Sequence, residues 1–278
     1  MKHLISIIIV AVGLTTSTIT AQEPASPQPP PDGNAAPKAL LDSTRHGEWM
    51  DIALPDSETK IRTWVVYPER SDAAPVVIVI HEIFGLTDWI RGVADQLAAE
   101  GFIAVAPDLL SGKGPDGGGT DSFSGDAVRT AIGKLTDDEV TIRLDAVRTH
   151  ALALPSVGKS SATIGFCWGG STSFMYATRQ PDLDAAIVYY GTAPDAPRLA
   201  TIKCPVLGLY GGDDNRVTST VSATAAAMKE YELAFTPHVY EGAGHGFLRQ
   251  QSGREGANGA AARSAWEETI AFLRERLK

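Results

Sequence analysis

Three short stretches of this sequence carry side chains able to attack a carbonyl or move a proton, and each is rich in glycine. GFCWGG, residues 165–170, holds Cys167; GGDDNRV, residues 211–217, holds Asp213 and Asp214; GAGHGF, residues 242–247, holds His245. A nucleophile, an acid and a histidine in that chain order suit covalent catalysis. The imidazole shuttles a proton near neutral pH, a carboxylate fixes its tautomer, and sulfur forms the bond to carbon. Gly165 and Gly169 flank the cysteine and remove side chains that would clash at a sharp strand-to-helix turn. A helix N-terminus at that turn favours thiolate over thiol. The bland alternative for Cys167 is a small buried hydrophobe beside a glycine turn, and the partners that follow in order argue against it. Among the other histidines, His81 ends an apolar run and reads as structural.

Such a set works only if strand ends bring it together. GEWMDIALP (47–55) and KIRTWVVYP (60–68) read as an antiparallel edge pair, and PVVIVIH (75–81) is a continuous apolar run, the mark of a strand covered on both faces. Further strands are expected at 102–109, 161–166, 185–191, 204–211 and 236–244. Helical spacing fills 88–101, which ends on Gly101, and 136–154, which opens with the capping box Thr136/Glu139. Helices at about 169–179, 218–231 and 257–277 complete the alternation. This is an α/β pattern, a mostly parallel central sheet with helices on both faces and sites at the carboxyl ends of strands. SGKGPDGGGTDSFSGD (111–126) reads as a long, flexible loop.

The ends set the context. Lys2 and His3, the apolar LISIIIVAVGL and a small residue at Ala21 read as a signal peptide over 1–21, too short in its apolar part to span a bilayer. Residues 22–46 carry Pro24, Pro27, Pro29, Pro30, Pro31 and Pro37 with almost no apolar side chains, and read as a disordered or polyproline-like tether. Residues 47–278 suit one domain of about 230 residues. An exported protein, periplasmic or extracellular, follows from the leader, monomeric and not inserted in the membrane once the leader is removed. The formal charge of −9 argues against nucleic acid or an anionic membrane as partner. Cys204 opens one strand and Cys167 closes another. In parallel strands their sulfurs stand roughly 20 Å apart at about 3.3 Å per residue, too far for a disulfide. Neither a metal nor an organic cofactor is expected, because no ligand spacing is clustered.

HEIFGL (81–86), GFCWGG, GGDDNRV and GAGHGF together resemble the dienelactone hydrolase family of α/β-hydrolases, over roughly residues 47–277. The resemblance implies the α/β-hydrolase fold and a Cys-Asp-His triad of Cys167, Asp214 and His245. The family's aspartate lies three residues before a valine, here Val217, which selects Asp214 and leaves Asp213 to shape the turn. It implies that Glu82 contacts the resting cysteine and helps generate the thiolate, and that the backbone N–H groups of Ile83 and Trp168 form the oxyanion hole. Of the two arginines with which the family holds a substrate carboxylate, one is present as Arg249. The other position is Gly112, with Lys113 adjacent, and the serine after the histidine is Gly246. The expected function is an exported, cysteine-dependent hydrolase of small ester or lactone substrates acting through an acyl-enzyme. The alternatives are a general carboxylesterase on small or aryl esters, and a non-catalytic envelope binding module.

Overall fold

The structure, a computed structural model, describes residues 26–155 and 157–278; the leader read at 1–21 lies outside the described residues. The sheet is built from β1 (Gly47–Ala53), β2 (Lys60–Val66), β3 (Ala74–Ile80), β4 (Ile103–Pro107), β5 (Val157–Phe166), β6 (Ala185–Tyr189), β7 (Val206–Gly211) and β8 (Phe235–Tyr240). They lie side by side in the order β1-β2-β4-β3-β5-β6-β7-β8. The helices are α1 (Ala36–Asp42), α2 (Asp88–Ala99), α3 (Ala127–Ile132), α4 (Asp137–Leu152), α5 (Trp168–Ala177), α6 (Ala196–Leu199), α7 (Asn215–Glu230) and α8 (Ala257–Arg276).

β1 and β2 form the expected antiparallel edge, with Gly47 opposite Val66 and Ala53 opposite Lys60, and β2 is also antiparallel to β4. From β4 to β8 every pair is parallel. The unbroken apolar run of β3 is explained by its two faces. Val77 and Val79 pack with Trp89, Ile90 and Val93 of α2 and with Trp266 and Ile270 of α8. Val76, Ile78 and Ile80 pack with Leu144 of α4, Phe174 of α5 and Val217 of α7. Side chains alternate along a strand, so only an apolar residue at every position satisfies both layers. α4 opens with the expected capping box: Glu139 N–H donates to Thr136 Oγ1 at 3.2 Å, and Thr136 N–H donates to Glu139 Oε2 at 3.1 Å. Both cysteines are free, with Cys204 buried ahead of β7 and Cys167 just beyond β5. Because β5, β6 and β7 run parallel, the two thiols stand at opposite ends of the sheet.

Two expectations are corrected. Residues 26–46 are not a disordered tether: Ala36 of α1 is fully buried, in the core layer that holds α2. Behind it, Ser43 Oγ donates to Asp95 Oδ1 at 2.6 Å and Arg45 grips the same carboxylate with two nitrogens. A count of apolar side chains missed this. Prolines lose little entropy on ordering, and a few polar contacts together with one buried methyl then suffice. The Gly-rich stretch 111–126 is also ordered in part. Asp108 accepts from the Thr120 N–H and hydroxyl, both at 2.7 Å, and holds the loop against the end of β4. The short helix α3 follows it, which the sequence reading did not anticipate.

Candidate active site

The turn between β5 and α5 has the strain that its glycines suggested. Cys167 takes φ +57°, ψ −114°, a region that costs a side-chain-bearing residue about 1–3 kcal/mol. The turn survives because its surroundings are tight. Cys167 N–H donates to Tyr189 O at 3.0 Å, and Ser171 N–H donates to Cys167 O at 3.1 Å. A Cβ on Gly165 would collide with the carbonyl oxygen of Gly169, and one on Gly169 with those of Ile80 and His81. The thiol is therefore presented at the carboxyl edge of the sheet, beside the chain leaving β3.

That chain is His81–Leu86. The buried His81 ring accepts from Leu109 N–H at Nε2 (3.2 Å) and donates from Nδ1 to Glu82 O (2.8 Å). It stacks on Trp168 at 5.4 Å, and burial pushes its pKa down, so it is a neutral strut. Glu82 is 3% exposed. Burial pushes its carboxyl up, and Arg249, whose Nε donates to Oε2 at 2.7 Å, draws it back part of the way. Gly85, at φ +74°, closes the turn under Thr120, where a Cβ would clash, and Thr120 Oγ1 accepts from Leu86 N–H at 3.1 Å.

Electrostatics at the sulfur differ from the sequence reading. Burial pushes the Cys167 thiol up and the Glu82 charge adds to this. The Trp168 amide, Arg216 and the Ile83 amide oppose both. The helix end acts in the expected direction, through Trp168, but its partial charge is outweighed by burial and a neighbouring carboxylate. At rest the group is a thiol. The two amides that pull against this, Ile83 and Trp168, are those to which the resemblance assigned the oxyanion.

On the other side, Asp214 heads α7 and is 7% exposed, and its Oδ2 lies 2.6 Å from His245 Nδ1. Asp213 points elsewhere, to Arg254 at 3.0 Å across an exposed surface. His245 follows β8 on a run of turns, and its ring meets Tyr190 edge-on at 5.1 Å. Tyr190 escaped the sequence reading. It sits directly beyond β6 at φ +40°, fully buried, and its hydroxyl has no partner among the described residues. Burial pushes its pKa far up, with Glu82, Arg249 and Cys167 as its ionisable neighbours. In the sequence it is one aromatic of VYY; only its place at a strand's carboxyl end hinted at the site.

The two cations expected to hold a substrate carboxylate are engaged elsewhere. Arg249 pairs with Glu82 and lies over Phe84 at 5.1 Å. Lys113 pairs with Glu139 at the start of α4, in a cleft lined by Phe123, Ala131 and Leu135, and is not joined to Arg249. Among the described residues no cluster of three or more His, Cys, Asp or Glu could hold a metal, and no helix is long and apolar enough to cross a membrane.

Comparison with known proteins agrees with this fold. Residues 61–277 match the sequence profile described as "Dienelactone hydrolase family". A protein of Salmonella typhimurium named "Putative carboxymethylenebutenolidase" is 31% identical over 233 residues, covering 80% of this chain and 85% of its own length. One of the same name from Saccharolobus solfataricus is 32% identical over 246 residues, covering 77% of this chain and 94% of its own. The crystal structure described as "Putative Dienelactone Hydrolase" from Klebsiella pneumoniae aligns with a TM-score of 0.73 at 26% identity, over 84% of this chain and 99% of that one. The chain belongs to the dienelactone hydrolase family, hydrolases of ester or lactone bonds.

Proposed function

We propose that this protein is an exported hydrolase that cleaves small esters or lactones through an acyl-enzyme on Cys167, with His245 as the proton carrier and Asp214 as its orienting carboxylate. Two features at one edge of the sheet support the reading: a strained thiol faced by two backbone amides, and a 2.6 Å histidine–aspartate pair, with Tyr190 neighbouring both. When substrate enters, the ionised Glu82 accepts the Cys167 proton and hands it on to His245, which removes the charge that held the thiol up. The sulfur attacks the carbonyl carbon, a C–S bond forms, and the oxyanion rests on the Ile83 and Trp168 N–H groups. The C–O bond breaks and His245 returns the proton to the leaving oxygen. Water, deprotonated by His245, then attacks the thioester; the C–S bond breaks, the acid leaves, and sulfur recovers its proton.

A second reading is favoured by one specific observation. Arg249 is committed to Glu82, Lys113 to Glu139, and the position of the family's other arginine is Gly112. A carboxylate-bearing lactone would find no free pair of cations among these residues, which favours a general carboxylesterase on neutral small or aryl esters. The test is a panel of p-nitrophenyl esters, neutral lactones and carboxylate-bearing lactones with protein starting at Gln22. Turnover that requires Cys167 supports the mechanism, and preference for neutral substrates supports the second reading. No turnover on any substrate by the folded protein points to a binding module. Export is tested by recovering protein cleaved after Ala21 from outside the cytoplasm.

A further inference from the structure

His245 and Arg249 share one irregular stretch, residues 241–253, which contains turns but no helix or strand. Within it, Arg249 N–H and Gln250 N–H both donate to Gly246 O at 3.0 Å. The outer side of this stretch is held by residues that precede the family-matched sequence. Gly33 N–H donates to the Arg249 carbonyl at 2.8 Å, and Gln251 Nε2 donates to Pro30 O at 2.7 Å. Pro30 is buried, and a Cβ on Gly33 would lie 3.0 Å from Arg249 Cγ, so the segment lies directly on the arginine's stem. The segment is itself anchored. Asp32 Oδ1 accepts from the N–H groups of Asn34 and Ala35, both at 3.0 Å, and turns the chain into α1. Ala36 and Pro31 then sit against Gly92 of α2, the helix that follows the HEIFGL turn. The two anchorages border a cavity of about 730 Å³ whose walls include Asp32, Asn34, Phe84 and Arg249.

We propose that residues 30–34 are a positioning element of the active site: they strap the 241–253 loop so that Arg249 stays on Glu82. Glu82 is faced by Arg249 from that loop, by Cys167 at the head of α5 and by Tyr190 beyond β6, with His81 beside it in the chain. Arg249 is the one cation among these that favours the carboxylate over the acid. If the strap lets it drift, burial prevails and Glu82 takes up its proton at higher pH. This rests on the proposed function only in that turnover needs Glu82 ionised.

The test uses full chains carrying Gly33→Val, which drives a side chain into the Arg249 stem; Gln251→Ala, which removes the Pro30 tether; Arg249→Gln; and Gly33→Val with Arg249→Gln. The readouts are kcat/KM for p-nitrophenyl acetate against pH, and Tm. The strap predicts that Gly33→Val lowers kcat/KM on the acid side of the profile by about tenfold, the scale of one charge-assisted hydrogen bond, and keeps the high-pH plateau. The acid limb moves to higher pH and Tm changes by only a few degrees. Gln251→Ala moves the limb the same way by less. The double variant loses no more than Arg249→Gln alone, because both act through one contact. Additive losses, or a lower Tm with the limb unmoved in both Gly33→Val and Gln251→Ala, would overturn the proposal and leave the segment a purely structural brace. Retained turnover in Cys167→Ala overturns the nucleophile assignment instead; the limb shift, which reports Glu82, still decides the strap.

Discussion

Changing Asp214 to Asn should cost far more activity than changing Asp213 to Asn, although the two are adjacent. Asp214 is 7% exposed and lies 2.6 Å from His245 Nδ1. The bond is charge-assisted once the ring is protonated, worth about 1.5–3 kcal/mol, or about 10- to 150-fold in rate. Asn at the same place also presents an NH₂ to Nδ1, which favours the tautomer with the proton on Nε2, so the ring cannot accept one there. In Ser-His-Asp enzymes that combined defect lowers kcat by about 10⁴, so a loss of 10²- to 10⁴-fold is expected here. Asp213 pairs with Arg254 where both side chains are about half exposed, at 49% and 52%. Such surface pairs contribute about 0–1 kcal/mol to stability and touch no reacting group, so Asp213→Asn should stay within about threefold of wild type. The assay is kcat/KM for p-nitrophenyl acetate at pH 7–8 beside circular dichroism and thermal melts of each variant. Equal losses in two folded variants, or a larger loss at Asp213, would refute the assignment of Asp214 as the carboxylate that orients His245.

Cys167→Ala should fold and lose turnover, whereas Cys167→Gly should be equally inactive but more stable than the alanine variant by about 1 kcal/mol, since glycine relieves the φ of +57°; equal melting curves would argue against stored strain. Iodoacetamide should alkylate the resting protein slowly at neutral pH, and Glu82→Gln should move the alkylation curve to lower pH because the Glu82 charge holds the thiol up; a shift to higher pH contradicts this. In Arg249→Ala the folded Glu82 carboxyl rises further above its unfolded value of about 4.3. Stability relative to wild type should therefore be kept below that pH and lost as pH rises toward the folded value; urea midpoints that diverge on acidification instead would count against it.

The alternation of apolar runs and helical spacing was enough to read the parallel sheet, since each run of the type PVVIVI can be buried only between two layers. The strand-to-helix turn at Cys167 was equally legible. Glycines on both sides of Cys167 have one economical use, a turn too tight for side chains, and chain order put Asp213, Asp214 and His245 at strand ends on the same edge. The sequence could not weigh opposing fields. Whether Cys167 rests as thiol or thiolate depends on the distance to Glu82 and on burial against the Trp168 and Ile83 amides, quantities that exist only once β3 and β5 lie side by side. Nor could it say what Arg249 and Lys113 face. A long cation reaches whatever carboxylate the fold brings near, and here those are Glu82 and Glu139. Tyr190 and the strap at 30–34 went unread for the same reason. A buried hydroxyl without a partner and a backbone N–H on the Arg249 carbonyl leave no mark in composition or periodicity. Residue types and spacing therefore determined which chemistry this chain can attempt and on what frame, while tertiary packing alone decided the charge state of that chemistry and what braces it, because electrostatic and hydrogen-bond energies depend on distances between residues far apart in the chain.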